Sequence, residues 1–178
     1  MSSAASGILQ RAAEMRREFD RAFVDPVRFD ETLKDNFLAI HAGRQACAIR
    51  LSDIAGLYAG KKITAVPGGH ATLLGIAGFR RAILPVYDLQ NLLGFANARS
   101  LRWLAIAKAA PVAVAFEAFD GQLQASRGAV MPQSGGAAMR GCARDFLQTP
   151  EFSGPLIDLP SVLDAIKALK PEFVSKKE

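Results

Sequence analysis

The chain has 178 residues, of which 50% are hydrophobic and 22% are charged. A disordered chain is excluded, because disordered chains contain far less apolar material. Lys and Arg number 22 and Asp and Glu number 17, so the net charge of +5 is too small to require nucleic acid as a partner. The two cysteines have no CxxC spacing, which argues against a disulfide framework and a cysteine-based zinc site.

No apolar run approaches the ~20 residues that a membrane-spanning helix needs, so we expect no direct membrane insertion. The start of the chain, residues 1–7, is small and polar and does not resemble a secretory signal. These features predict a soluble cytoplasmic protein with reduced thiols.

The first segment predicts an amphipathic helix over residues 4–23. Apolar side chains recur there at steps of three or four residues, as on one face of a helix: Ile8, Ala12, Met15, Phe19 and Phe23. Pro26 ends the pattern, because the residue before a proline disfavours the helical region. Such a helix either packs on its own domain or docks a partner, and the sequence allows both.

From residue 36 onward the apolar period changes to two, which predicts strands. The first two strands, 37–40 and 46–49, form a hairpin whose turn contains Gly43. Further apolar runs predict strands at 54–58, 63–66, 73–76, 82–87, 103–107, 112–119, 123–131 and 155–159. Asp120 and Gly121, between two of these runs, predict another hairpin turn. Strands at this spacing without long helices between them favour an antiparallel barrel or sandwich.

Two helical segments follow strands that end in the same short pattern. A helical turn is predicted over residues 89–93, ended by Gly94, and a C-terminal helix over residues 161–169. Residues 85–89 and 155–159 share a proline, an aspartate and a leucine at equivalent places. This repeat predicts two related small barrels, in which Asp88 and Asp158 cap the helix starts.

The sequence offers no constellation for catalysis, for a metal or for a cofactor. Its two histidines, His41 and His70, have no partner at metal-binding spacing, and no phosphate loop or nucleophile elbow is present. The chain is therefore predicted to be a non-enzymatic module that binds other proteins rather than nucleic acid. The alternative is a small basic β-barrel that binds single-stranded nucleic acid, to which Arg80, Arg81 and Trp103 would contribute.

Residues 73–94 carry the most specific pattern of the chain. They resemble the CheW family of chemotaxis coupling proteins, whose members carry Asn-Leu-Arg-Gly, then an apolar residue with Pro-Val-x-Asp-Leu, and soon Leu-Gly. The matching residues are Gly75, Arg80, Pro85, Val86, Asp88, Leu89, Leu93 and Gly94. The resemblance extends over about residues 36–169 and leaves the N-terminal helix outside it.

The resemblance implies a mostly β fold of two five-stranded SH3-like barrels with a C-terminal helix, to which this chain adds the N-terminal helix. The expected domains are a helical extension at 1–30, a CheW-like domain at 36–170 and a tail at 171–178. The first barrel then spans about 36–95, with closure by later strands, and the second about 100–160. Members of the family are non-catalytic adaptors that join a CheA-type histidine kinase to the cytoplasmic hairpin of methyl-accepting chemoreceptors.

Three positions depart from the family pattern near its arginine, and one of them is Gly78, which replaces the asparagine two residues before the arginine. The family carries a glutamate at the position of Gly56, placed to pair with the arginine that is Arg80 in this chain. Arg81 replaces the glycine that usually follows that arginine. The resemblance implies partner-binding residues, namely Gly56, Gly75, Arg80, Arg81 and Phe119. Ile54 is added because the apolar strand series over residues 37–66 has more apolar surface than one small barrel can bury.

Overall fold

The computed structural model describes residues 34–80, 82–95, 100–133 and 138–169. The predicted N-terminal helix and the predicted tail lie outside the described residues, and so does Arg81. Within the described ranges the chain is mostly β, with two sheets and few helices. None of the described helices is both long enough and apolar enough to cross a membrane.

Strands and two short α-helices follow one another along the described residues. The strands are β1 (Lys34–Ala42), β2 (Gln45–Arg50), β3 (Ile54–Ala59), β4 (Leu73–Phe79), β5 (Ala82–Asp88), β6 (Trp103–Ala107), β7 (Ala113–Phe116), β8 (Ala118–Ser126), β9 (Val130–Pro132), β10 (Ala143–Gln148) and β11 (Ser153–Ile157). The helices are α1 (Leu89–Leu93) and α2 (Leu159–Ala168). Sheet I has the strand order β8-β1-β2-β11-β10-β9, and sheet II has the order β3-β6-β7-β5-β4. Neighbouring strands are antiparallel, except that β11 runs parallel to β2 and β5 runs parallel to β7.

The described chain consists of two similar halves that exchange strands. In the first half, β1 and β2 form a hairpin in sheet I, and the chain then enters sheet II for β3, β4 and β5. In the second half, β6 and β7 form a hairpin in sheet II, and the chain then enters sheet I for β8 to β11. The repeat extends to single hydrogen bonds, since Asp88 N donates to Thr72 O and Asp158 N donates to Cys142 O, both at 2.8 Å. Each sheet thus takes strands from both halves of the described chain.

The central hairpins are buried on both faces, which explains their nearly continuous apolar sequences. On β1, Leu38 and Ile40 enter the main core, whereas Phe37 enters a separate cluster with residues of β8, β10 and β11. On β7, Val114 enters the main core and Ala115 enters a cluster that belongs to sheet II. The two helices complete the main core with Leu89, Leu92, Leu93, Leu159, Val162, Leu163 and Ile166.

The first hairpin, the strands β3 to β6 and both helices agree with the sequence-based expectation. Gly43 occupies the β1–β2 turn with a positive φ of 67°. Gly94 ends α1 in the left-handed conformation with a φ of 90°. These positions were predictable because glycine adopts positive φ at little cost.

The structure differs from the predicted strands and turns at three places. Residues 63–66 form no strand but make a single antiparallel bridge, between Thr64 and Ile76. Asp120 and Gly121 form no turn, because they lie inside β8, and Asp120 is the extra residue of a β-bulge opposite β1. Strand β10 was not predicted, since Arg144 and Asp145 interrupt its apolar residues.

Candidate partner-binding surface

The β4–β5 hairpin presents Arg80 at its tip. Phe79 of β4 pairs with Ala82 of β5, so the connection consists of residues 80 and 81 alone. Arg80 is exposed and has a φ of 42°, a conformation that two-residue hairpin turns require and that glycine or asparagine adopts more easily. For an L-residue this conformation costs on the order of 1 kcal/mol. An arginine at such a position indicates a role for its side chain, because local backbone preference would select another residue.

The outer face of the same hairpin is apolar and partly exposed. Ile76 pairs with Pro85, and two residues closer to the tip Gly78 pairs with Ile83. Ile83 is 72% exposed, more than any other large hydrophobic residue among those described. Gly78 adds no side chain beside it, so the isoleucine projects from the surface.

The position of Gly56 is covered by an aromatic ring. A Cβ at Gly56 would lie 2.9 Å from Cε2 of Tyr58. The Tyr58 ring in turn packs edge-to-face on Phe79, with 5.1 Å between the ring centroids. The Lys61 ammonium group lies 5.5 Å from the Tyr58 centroid and 6.0 Å from that of Phe79. Side chains of β3 and β4, the two edge strands of sheet II, therefore meet here through an aromatic pair and a cation.

This arrangement leaves Arg80 without a carboxylate partner among the described residues. The glutamate that the family carries at the position of Gly56 is missing, and the Tyr58 ring occupies the space beside that backbone. The Arg80 guanidinium is consequently available, within the described part of the chain, to a group on another molecule.

Gly75 has a structural role. Its φ is 142°, and a Cβ at this position would lie 2.1 Å from the carbonyl oxygen of Thr64. The absence of a side chain lets the segment at Thr64 approach β4 and form two backbone hydrogen bonds with Ile76, at 2.8 and 2.9 Å. Gly75 thus fixes the segment next to the hairpin and presents no group to a partner.

Ile54 and Phe119 lie against the main core and not at the hairpin tip. Ile54 is half-buried and opens β3 opposite Ala107. Phe119 is half-buried on β8 and packs edge-to-face on Trp103, with 5.3 Å between the centroids. Trp103 is itself half-buried and packs against the main core.

A small cavity opens where the two halves of the chain meet. It has a volume of about 160 Å³ and is lined by Ser52, Asp53, Lys108, Ala109, Leu159, Pro160 and Leu163. Its size suits a single side chain, and its lining combines leucines with one charge of each sign. The cavity can therefore accept an apolar side chain from a partner with a polar group beside it.

The two aspartates of the repeat cap helices, as expected. Asp88 Oδ1 accepts from the backbone N–H groups of Gln90 at 2.9 Å and Asn91 at 3.2 Å. Asp158 Oδ2 accepts from the N–H of Ser161 at 3.1 Å. Both carboxylates are thereby occupied with helix starts, which explains why the Pro-x-x-Asp-Leu pattern occurs twice.

Other titratable groups have structural surroundings. Burial raises the pKa of the Cys47 thiol to about 12, and burial, with Asp158 nearby, raises the pKa of Cys142. His41 Nε2 lies 2.7 Å from Asp120 Oδ2 at the bulge of β8. Among the described residues no group of three or more His, Cys, Asp or Glu side chains could hold a metal ion.

Sequence reasoning missed three exposed residues: Ile83 on the same hairpin as Arg80, Lys61 beside Phe79, and its chain neighbour Lys62. The available signal was the absence of Asp and Glu from residues 54–87. Ile83 could not be recognised as exposed, because it stands in an apolar run whose other members, Leu84 and Val86, are buried.

Comparison with known proteins agrees with this architecture. Residues 36–167 match the family model of the CheW-like domain. The chain belongs to the CheW-like domain family. Among solved structures, it resembles the crystal structure of the scaffolding protein TtCheW from Thermoanaerobacter tengcongensis, with a TM-score of 0.62 at 15% sequence identity, over 69% of this chain and 88% of that one. Comparison with curated protein sequences gives no match.

Proposed function

We propose that the chain is a non-catalytic cytoplasmic adaptor that joins a CheA-type histidine kinase to the cytoplasmic hairpin of methyl-accepting chemoreceptors. Its membership of the CheW-like family supports this function. At residue level the proposal depends on one observation: Arg80 is exposed at a hairpin tip, in a conformation unfavourable for arginine, with no ion pair among the described residues.

In this proposal each sheet corresponds to one SH3-like barrel. The contact between Tyr58 of β3 and Phe79 of β4 supports closure of sheet II, because these strands are its two edges. In sheet I, Leu123 of β8 and Val130 of β9 pack against one cluster, although they too belong to opposite edges. Two barrels give an adaptor two separate surfaces on one rigid support.

Receptor carboxylates are the proposed partners of Arg80 and Arg81. A guanidinium group suits this role because its planar fork holds a carboxylate through two hydrogen bonds. The kinase is proposed to bind sheet II on the side where β3 begins, with Ile54 at the rim and Gly56 leaving the backbone uncovered. Gly75 supports the hairpin from below, and Phe119 lies at the border of the two sheets.

Binary binding tests this function most simply. Titration calorimetry would measure binding of the full chain to the kinase regulatory domain, to a receptor hairpin fragment and to a single-stranded oligonucleotide. The proposal expects binding to both proteins and not to the oligonucleotide. Binding to the oligonucleotide alone, falling steeply with salt, would instead establish the nucleic-acid alternative.

A further inference from the structure

The positive charge of the chain is concentrated in one part of it. Between residues 54 and 116, which span β3 to β7, the only carboxylate is Asp88, and it is 3% exposed and bonded to the start of α1. The same stretch contains seven cations, Lys61, Lys62, Arg80, Arg81, Arg99, Arg102 and Lys108, so its net charge is +6. The rest of the chain is nearly neutral, since the whole carries +5. Residues 54–116, which contain the strands of sheet II, are therefore the part of the sequence in which the positive charge is concentrated.

Three of these cations lie at or near the hairpin that carries the exposed isoleucine. Lys61 lies within 6.0 Å of the Phe79 ring, and Phe79 directly precedes Arg80. Lys62 follows Lys61 in the chain and lies two residues before Thr64, whose single antiparallel bridge with Ile76 joins this segment to the hairpin. Gly78 is the cross-strand neighbour of Ile83. We name the set Lys61, Lys62, Arg80 and Ile83 the basic tip.

The chemistry of the basic tip identifies its partner. All four side chains are exposed, and none of the three cations has an ion pair among the described residues. A projecting aliphatic group on a hairpin with cations at its tip fits a surface that has a small apolar recess bordered by carboxylates. Nucleic acid is disfavoured, because Phe79 is 4% exposed and Lys61 lies over both rings of the Tyr58–Phe79 pair. A single isoleucine is also too little to hold a protein on a bilayer.

We infer that the basic tip is an electrostatically steered docking site for an acidic protein surface, with Ile83 as its apolar anchor. The inference rests on the proposed adaptor function and specifies the chemistry of the partner. It assigns two separate tasks to neighbouring residues. Lys62 and Arg80 accelerate association by long-range attraction, whereas Ile83 slows dissociation by filling the recess.

Association kinetics separate these tasks. The full chain is compared with the variants Lys62→Glu, Arg80→Glu and Ile83→Ser, with the kinase regulatory domain and the receptor hairpin fragment as probes. Arg144→Glu is the matched control, because Arg144 is an exposed arginine on β10 of sheet I with no ion pair among the described residues. Lys61 is left unchanged, since it contacts the Tyr58–Phe79 pair.

With the receptor hairpin fragment, each charge reversal is expected to slow association about tenfold at about 50 mM salt, and the difference should shrink at about 300 mM because salt screens the attraction. Ile83→Ser should leave the association rate unchanged and raise the dissociation rate about tenfold. Arg144→Glu should behave as wild type.

Two results would overturn the inference while the adaptor function stands. In the first, wild type binds both probes, but Lys62→Glu and Arg80→Glu bind them at the same rates as Arg144→Glu. In the second, the charge dependence appears only with vesicles of about 30% phosphatidylserine or with an oligonucleotide. Failure of wild type to bind either protein would overturn the inference and the proposed function together.

Discussion

Replacement of Gly75 by alanine separates a structural from a partner-binding role for this glycine. A Cβ at this position would lie 2.1 Å from the Thr64 carbonyl oxygen, which belongs to the backbone and cannot rotate away. The substituted chain must therefore separate the Thr64 segment from β4 and lose the two hydrogen bonds at 2.8 and 2.9 Å. Their net loss costs about 1–3 kcal/mol. A non-glycine residue at the φ of 142° adds about 1–3 kcal/mol.

The expected loss for Gly75→Ala is therefore about 2–6 kcal/mol in the free energy of unfolding, measured by urea denaturation. Gly78→Ala is the matched control, because Gly78 lies on the same strand, has no positive φ, and has no atom within 4 Å of the place that a Cβ would occupy. It should change stability by less than about 0.5 kcal/mol. Equal stability of the two variants would refute the close approach between Thr64 and β4. Loss of partner binding by a fully stable Gly75→Ala would show a direct binding role.

Three further predictions concern the same fold. Gly56→Glu should lower the free energy of unfolding by about 1–2 kcal/mol, because the new Cβ displaces the Tyr58 ring and weakens its aromatic and cation contacts. Chemical denaturation of Gly56→Glu, of Tyr58→Ala and of the double variant measures this effect. Wild-type stability of Gly56→Glu would contradict it. Asp158→Ala should cost about 1 kcal/mol through loss of the α2 cap, whereas native stability with abolished partner binding would favour a functional role for this aspartate. The pKa of Cys47 is about 12 in the folded chain, against an ordinary value of 9.0, so the thiol loses its proton more readily in the unfolded chain. The stability of wild type relative to Cys47→Ala should therefore fall as the pH rises from 9.0 towards 12. A stability difference that does not depend on pH would exclude burial of the thiol.

Local signals in the sequence predicted the elements that depend on local chemistry. Gly43 and Gly94 occupy left-handed positions in a turn and at a helix end, and Asp88 and Asp158 cap helices. These roles require only a few neighbouring residues, so the sequence contains enough information to place them.

The predictions that failed depend on distant pairing. The Asp120-Gly121 pair has the composition of a hairpin turn, but the chain leaves sheet II after Phe116 and enters sheet I at Ala118, where the pair becomes part of a bulged strand. The local turn preference of these residues is overridden by pairing with β1, which lies about eighty positions earlier in the chain.

The candidate site was predicted only in part, again because some of its features depend on contacts between distant parts of the chain. The family pattern led to Arg80, which the structure places at an exposed tip. It could not show that Ile83 projects outward, because exposure depends on the register between β4 and β5. Nor could it show that Tyr58 covers the backbone at Gly56, since that contact joins side chains across the edge of sheet II.

A bridging assay tests the central claim most directly. Receptor hairpin fragments are immobilised, the kinase regulatory domain is held at a fixed concentration, and kinase capture is measured as the full chain is added. A protein that joins two partners through separate surfaces should raise capture to a maximum and then lower it, because excess adaptor occupies receptor and kinase separately. Kinase capture that is equal with and without the chain, or that only decreases as the chain is added, would contradict the adaptor function.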